Sequence, residues 1–141
     1  MKSILPIMFV FLFSVNWALA DENLEIFEYK LLLRTGCSLE VIKQGEPKQT
    51  FSLPFENKED CAVILQGETN VPHLEFINDS YVFLVEARST KEGVCKANYV
   101  AIVLPRNGKV KITQKPLRTG TCKGDQDRAA FEYLYNNIIK Q

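Results

Sequence analysis

The sequence predicts an α+β protein: an antiparallel β-sheet of about six or seven short, meander-like strands, with one C-terminal amphipathic helix packed on it and two disulfides. Three observations carry this prediction. Residues 95–122, CKANYVAIVLPRNGKVKITQKPLRTGTC, read as a β-hairpin with a cysteine at each open end. Before it, residues 24–88 break into short apolar or alternating runs separated by turn residues. After it, Phe131, Leu134, Tyr135 and Ile138 fall at i, i+3, i+4 and i+7 in a stretch with no internal Gly or Pro, which is one face of an α-helix.

Each element has its own reason. Residues 24–33, LEIFEYKLLL, read as one strand with Phe27, Tyr29, Leu31 and Leu33 on a shared face. Residues 37–43 form a second strand, with Leu39 and Val41 beside Cys37, and Gln44-Gly45-Glu46-Pro47 turns the chain. Residues 49–55 form a third, carrying Phe51, Leu53 and Phe55 on one face. A polar loop over 56–60 leads to Cys61 and a strand over 62–66. Residues 73–77 are a short strand, and Asn78-Asp79-Ser80 is a tight turn that also matches an N-glycosylation pattern. Residues 81–88 follow as a strand with Tyr81, Phe83, Val85 and Ala87 on one side.

In the hairpin, residues 98–104 are apolar on both faces and rich in β-branched side chains, as a strand buried on both sides requires. Asn107-Gly108 is a strong two-residue turn signal, because both residues tolerate positive φ. Lys109, Lys111 and Thr113 then alternate with Val110 and Ile112, giving one wet and one packed face. With Asn107-Gly108 as the loop, facing residues sum to 215, and Cys95 and Cys122 end about two positions apart, a gap that a bulge at Pro116 closes. In the helix, Asp125 is the expected N-cap, Asp127 suits the first turn, and Arg128 and Glu132 form an i,i+4 pair.

Residues 1–20 read as a signal peptide. Lys2 supplies a positive start, an apolar run follows, and Ala18-Leu19-Ala20 is a small-x-small cleavage site. Removal before Asp21 leaves 121 of the 141 residues as a single α+β domain over 21–141, and takes away Trp17, the sole tryptophan. The expected location is outside the cytoplasm, in a bacterial periplasm or secreted, without stable membrane insertion. Four cysteines in such a chain read as two disulfides. Spacing favours Cys37–Cys61 and Cys95–Cys122, because each pair then brackets a strand–turn–strand unit.

Function is less legible. His73 is the sole histidine and no two cysteines are close, so zinc-type ligand spacing is absent and no metal or cofactor is expected. No catalytic constellation stands out, and His73 reads first as a surface or edge histidine. Charge is more informative. Residues 21–80 hold 12 acidic and 5 basic side chains, a balance of −7; residues 81–141 hold 5 acidic and 11 basic, a balance of +6. Arg106, Lys109, Lys111, Lys115 and Arg118 concentrate the positive half on the hairpin. They read either as an edge protected by charge or as a contact surface for a partner. Nucleic acid is not the expected partner, because the chain as a whole is not basic and the patch lacks interleaved aromatics. The sequence therefore points to an exported, disulfide-stabilised binding protein that inhibits or neutralises another extracytoplasmic protein through charged faces. The alternatives are a small secreted hydrolase or nuclease using His73 with a carboxylate, and a small-ligand carrier.

Overall fold

A computed structural model of the chain describes residues 22–56, 61–91, 93–119, 122 and 126–139. The expected leader and the expected cap Asp125 lie outside them. Among the described residues there are ten strands and one helix: β1 Glu22–Ile26, β2 Tyr29–Arg34, β3 Ser38–Lys43, β4 Gln49–Ser52, β5 Cys61–Val63, β6 Glu75–Ile77, β7 Ser80–Lys91, β8 Val94–Pro105, β9 Lys111–Ile112, β10 Leu117–Thr119 and α1 Arg128–Ile139. They make two antiparallel sheets. The smaller has the order β1-β2-β3-β4; the larger has the order β10-β8-β7-β5, with β6 paired to β7 and β9 to β8.

The larger sheet is the middle of three layers, and alternation along its two long strands explains why. Phe83, Val85 and Ala87 of β7, with Val100, Ile102 and Leu104 of β8, point one way and meet Leu31, Leu33, Leu39 and Val41 of the smaller sheet. The intervening Val82 and Leu84, with Tyr99, Ala101 and Val103, point the other way and meet Phe131, Leu134, Tyr135 and Ile138 of α1. The apolar run over 98–104 is thus buried on both sides, and the helix buries the stripe that its periodicity marks. Phe131 and Leu134 are fully buried, each contributing about 2 kcal/mol relative to an exposed side chain.

Both disulfides form, Cys37–Cys61 and Cys95–Cys122, with Cα atoms 5.5 and 5.7 Å apart. The first joins the β2–β3 turn to β5 and so ties the two sheets together. The second holds the open end of β8 against the segment after β10.

The structure departs from the sequence reading in several places. Residues 24–33 are two strands, with Phe27 and Glu28 as the two-residue turn between Ile26 and Tyr29. Phe27 takes φ +53, a backbone state in which the sequence gives no glycine or asparagine to signal a turn. The third strand ends at Ser52; Leu53 and Phe55 still point inward, and the Leu53 amide donates to the Cys37 carbonyl (2.9 Å). The Asn107-Gly108 loop is wider than two residues. Lys111 faces Val103 and Ile112 faces Ile102, a sum of 214, whereas Leu117 faces Tyr99, a sum of 216. The register therefore jumps by two across residues 113–116, around the predicted bulge. Thr113 sits in the jump and is buried, not wet: the Ala101 amide donates to its hydroxyl (2.9 Å), and its own amide donates to the Ala101 carbonyl (3.1 Å). The expected tight turn at Asn78-Asp79 does form, with φ +45 and +62, and closes the β6–β7 hairpin. Asp127 precedes the helix and accepts from the Ala130 amide (3.2 Å), so it is the cap and not a first-turn residue.

Candidate functional site

Strand register sorts the molecule into two ends. Cys61 faces Ala87 and Cys95 faces Thr90 on β7, so both staples lie toward its C-terminal end. Tyr81 lies at its start, about 20 Å along the strand from Ala87 and about 30 Å from Thr90. The unstapled end gathers the β1–β2 turn, the end of β3, the β6–β7 turn and the end of β8.

Here the chain exposes aromatic rings. Phe27 is 77% exposed and its ring stacks on Tyr81, with centroids 4.5 Å apart and planes 20° apart. Phe76, 48% exposed, packs at a tilt on Tyr81, with centroids 5.1 Å apart. Polar contacts fix the base. The Tyr29 hydroxyl donates to the Pro105 carbonyl (2.7 Å), and the Gln44 amide donates to the Glu28 carbonyl (3.1 Å). Lys43 lies over the Tyr29 ring (5.5 Å), donates to the Arg106 carbonyl (3.5 Å) and approaches Glu46 (3.9 Å). Arg106 pairs with Asp79 (3.7 Å). Burial pushes the Tyr29 phenol above its ordinary range, with the Lys43 charge opposing it.

Phe27 stands as a ridge between two grooves. On the outer face of the smaller sheet, Glu25, Phe27, Glu28, Lys30, Ile42 and Gln44 line a depression of about 400 Å³. Toward the larger sheet, Phe27, Tyr81, Leu104, Pro105 and Arg106 help to line a second of about 130 Å³. Sequence reading placed Phe27 on a core face and missed this site.

The five basic residues predicted from the hairpin are all exposed. They do not gather at one point. Lys111 lies across from Val103 and Arg118 across from Asn98, five positions along β8, so they line one edge over about 16 Å. Arg106 is paired with Asp79, and Arg118 with Glu56 (3.2 Å). Lys109, Lys111 and Lys115 have no ion pair among the described residues.

His73 is half-buried, not a bare surface histidine. Its Nε2 lies 3.0 Å from Glu75 Oε1, and its ring packs on Phe131 with centroids 4.6 Å apart. Glu75 Oε2 accepts from Arg128 (2.8 Å), which also donates to Glu132 (2.8 Å) and to the Phe76 carbonyl (3.4 Å). Both Glu75 oxygens are engaged, so this His–Glu–Arg group latches α1 to β6. A second charged group is buried at the stapled end. Glu86 takes a bond from Arg88 Nε (2.8 Å) through Oε1, while its buried Oε2 has no hydrogen-bond partner among the described residues. Burial pushes the Glu86 carboxyl up, and Arg88 and Tyr99 offset this only in part.

All four cysteines are in disulfides, and among the described residues no group of three His, Cys, Asp or Glu side chains could hold a metal. No described helix is long and apolar enough to cross a membrane. No known protein family, curated protein or solved structure matches the chain. Fold and staples together define a disulfide-stabilised α+β protein, consistent with an extracellular setting.

Proposed function

We propose that the chain is an exported binding protein that inhibits or neutralises another extracytoplasmic protein, with the Phe27 end as its contact surface. One observation carries this reading: a large aromatic side chain, 77% exposed, held at φ +53 on a two-residue turn. A phenylalanine there costs about 1–3 kcal/mol of backbone strain and leaves its apolar surface in water. Neither term favours folding, whereas an exposed aromatic anchor on a rigid scaffold favours binding. The basic edge supplies a second, steering contact for acidic groups of the same partner.

The test is affinity capture from the native medium on columns of the wild-type chain and of Phe27→Gly. A stoichiometric protein retained by the first and not the second, whose own activity is lost on adding the chain, is the expected result. Equal retention on both columns removes the Phe27 end from the reading.

The His73–Glu75–Arg128 group favours a second reading, a small hydrolase or nuclease working by acid–base chemistry. His73→Ala decides it: full biological activity in the folded variant eliminates the enzyme.

A further inference from the structure

We infer that the Phe27 end takes a cationic segment of its partner, with an arginine or lysine side chain laid on the open face of the Phe27 ring and its charge against Glu25 and Glu28. This rests on the binding reading above and adds the chemistry of what is bound. One face of Phe27 is covered by Tyr81, and the ring is still 77% exposed, so the opposite face is open to a cation. Glu25 and Glu28 line the same groove as the ring. Neither carboxylate is in an ion pair among the described residues, even though Lys30 stands opposite Glu25 in the β1–β2 register. Among the described residues lining that groove, Lys30 is the single basic side chain, against two carboxylates.

The other cations of this end are committed elsewhere: Lys43 to Tyr29, Glu46 and the Arg106 carbonyl, and Arg106 to Asp79. Ile42, 42% exposed, gives the groove an apolar wall for the methylenes of a long basic side chain. Ring, two carboxylates and apolar wall all select the same ligand.

The experiment uses the isotope-labelled domain with both disulfides formed. It is titrated by NMR with a six-residue peptide alternating arginine and leucine, and with the counterpart carrying glutamate for arginine. The arginine peptide is expected to shift the signals of Phe27, Glu28 and Ile42 and to bind more weakly as salt rises. Its affinity falls about tenfold in Phe27→Ala and severalfold in the Glu25→Gln/Glu28→Gln variant. Unchanged methyl signals of Leu31 and Val41 establish that each variant is folded, and Phe27→Gly serves if Phe27→Ala is not.

Equal or tighter binding of the glutamate peptide at these residues overturns the inference. So do shifts that map elsewhere, no shifts at all, or self-association of the chain through the same residues. Failure here with Phe27-dependent capture of a native partner intact removes the cationic ligand alone. Loss of both removes the binding surface.

Discussion

At one end of the sheets, Cys37–Cys61 and Cys95–Cys122 tie the β2–β3 turn and the base of β8 to their neighbours. At the other, no disulfide joins the elements, and a phenylalanine with positive φ projects into solvent beside two carboxylates that have no ion pair among the described residues. The stapled end lowers the entropy of the unfolded chain. The aromatic end holds strain and exposed apolar surface that folding alone does not call for. The contrast separates the residues that hold the fold from those that face a partner, and it can be tested from either side.

The largest effect belongs to the staples. Cys37 and Cys61 are 24 residues apart, and replacing both by alanine is expected to cost about 3.5 kcal/mol in urea unfolding. Because the link lies far from Tyr81, the Phe27 and Tyr81 signals should stay in place while the variant remains folded. Movement of those signals would show that the two ends are mechanically joined.

The opposite experiment relieves the aromatic end. Phe27→Gly is expected to raise stability by about 1 kcal/mol, since glycine adopts positive φ freely and the lost ring was mostly in water. The same variant should lose partner binding. A destabilised Phe27→Gly chain would mean that the Phe27–Tyr81 stack outweighs the strain, and would make the ring structural.

The difference between the ends also governs what could be read in advance. The stapled framework was legible because cysteine spacing and the parity of Leu39, Val41, Phe83 and Val85 are local and regular. The helix stripe was legible for the same reason. The aromatic end was not, because Phe27 is an apolar residue in an apolar run and its turn has no glycine. One signal was present: Leu24 and Ile26 are even-numbered, whereas Tyr29, Leu31 and Leu33 are odd, so the inward parity switches across residues 27 and 28. The width of the loop after β8 was hidden differently. It depends on the buried Thr113 hydroxyl bonding Ala101, a tertiary contact that alternation does not reveal.

Acid should act on the stapled end through Glu86. Its carboxyl sits above the ordinary 4.5 because of burial. Between the unfolded value and the raised folded one, the folded state binds the proton more tightly, so stability falls as pH rises through that window and stays lower above it. Glu86→Gln is therefore expected to raise Tm by a few degrees at pH 7 to 8, with the gain shrinking below about pH 4. A gain independent of pH would place the effect in packing and not in the charge.

The smallest effect on stability is expected at the basic edge. Lys109, Lys111 and Lys115 are exposed and unpaired among the described residues, so replacing them should change unfolding free energy by less than about 0.5 kcal/mol. Two substitutions separate their possible roles. Changing all three to glutamate keeps the edge charged but reverses its field; under the binding reading it slows association with the partner about tenfold at low salt and leaves the chain monomeric. Changing all three to threonine removes charge from the edge beside β9; if the lysines serve only to prevent strand pairing, this variant self-associates while partner association is untouched in both. Light scattering and association rates measured on the two variants therefore assign the edge to one role or the other.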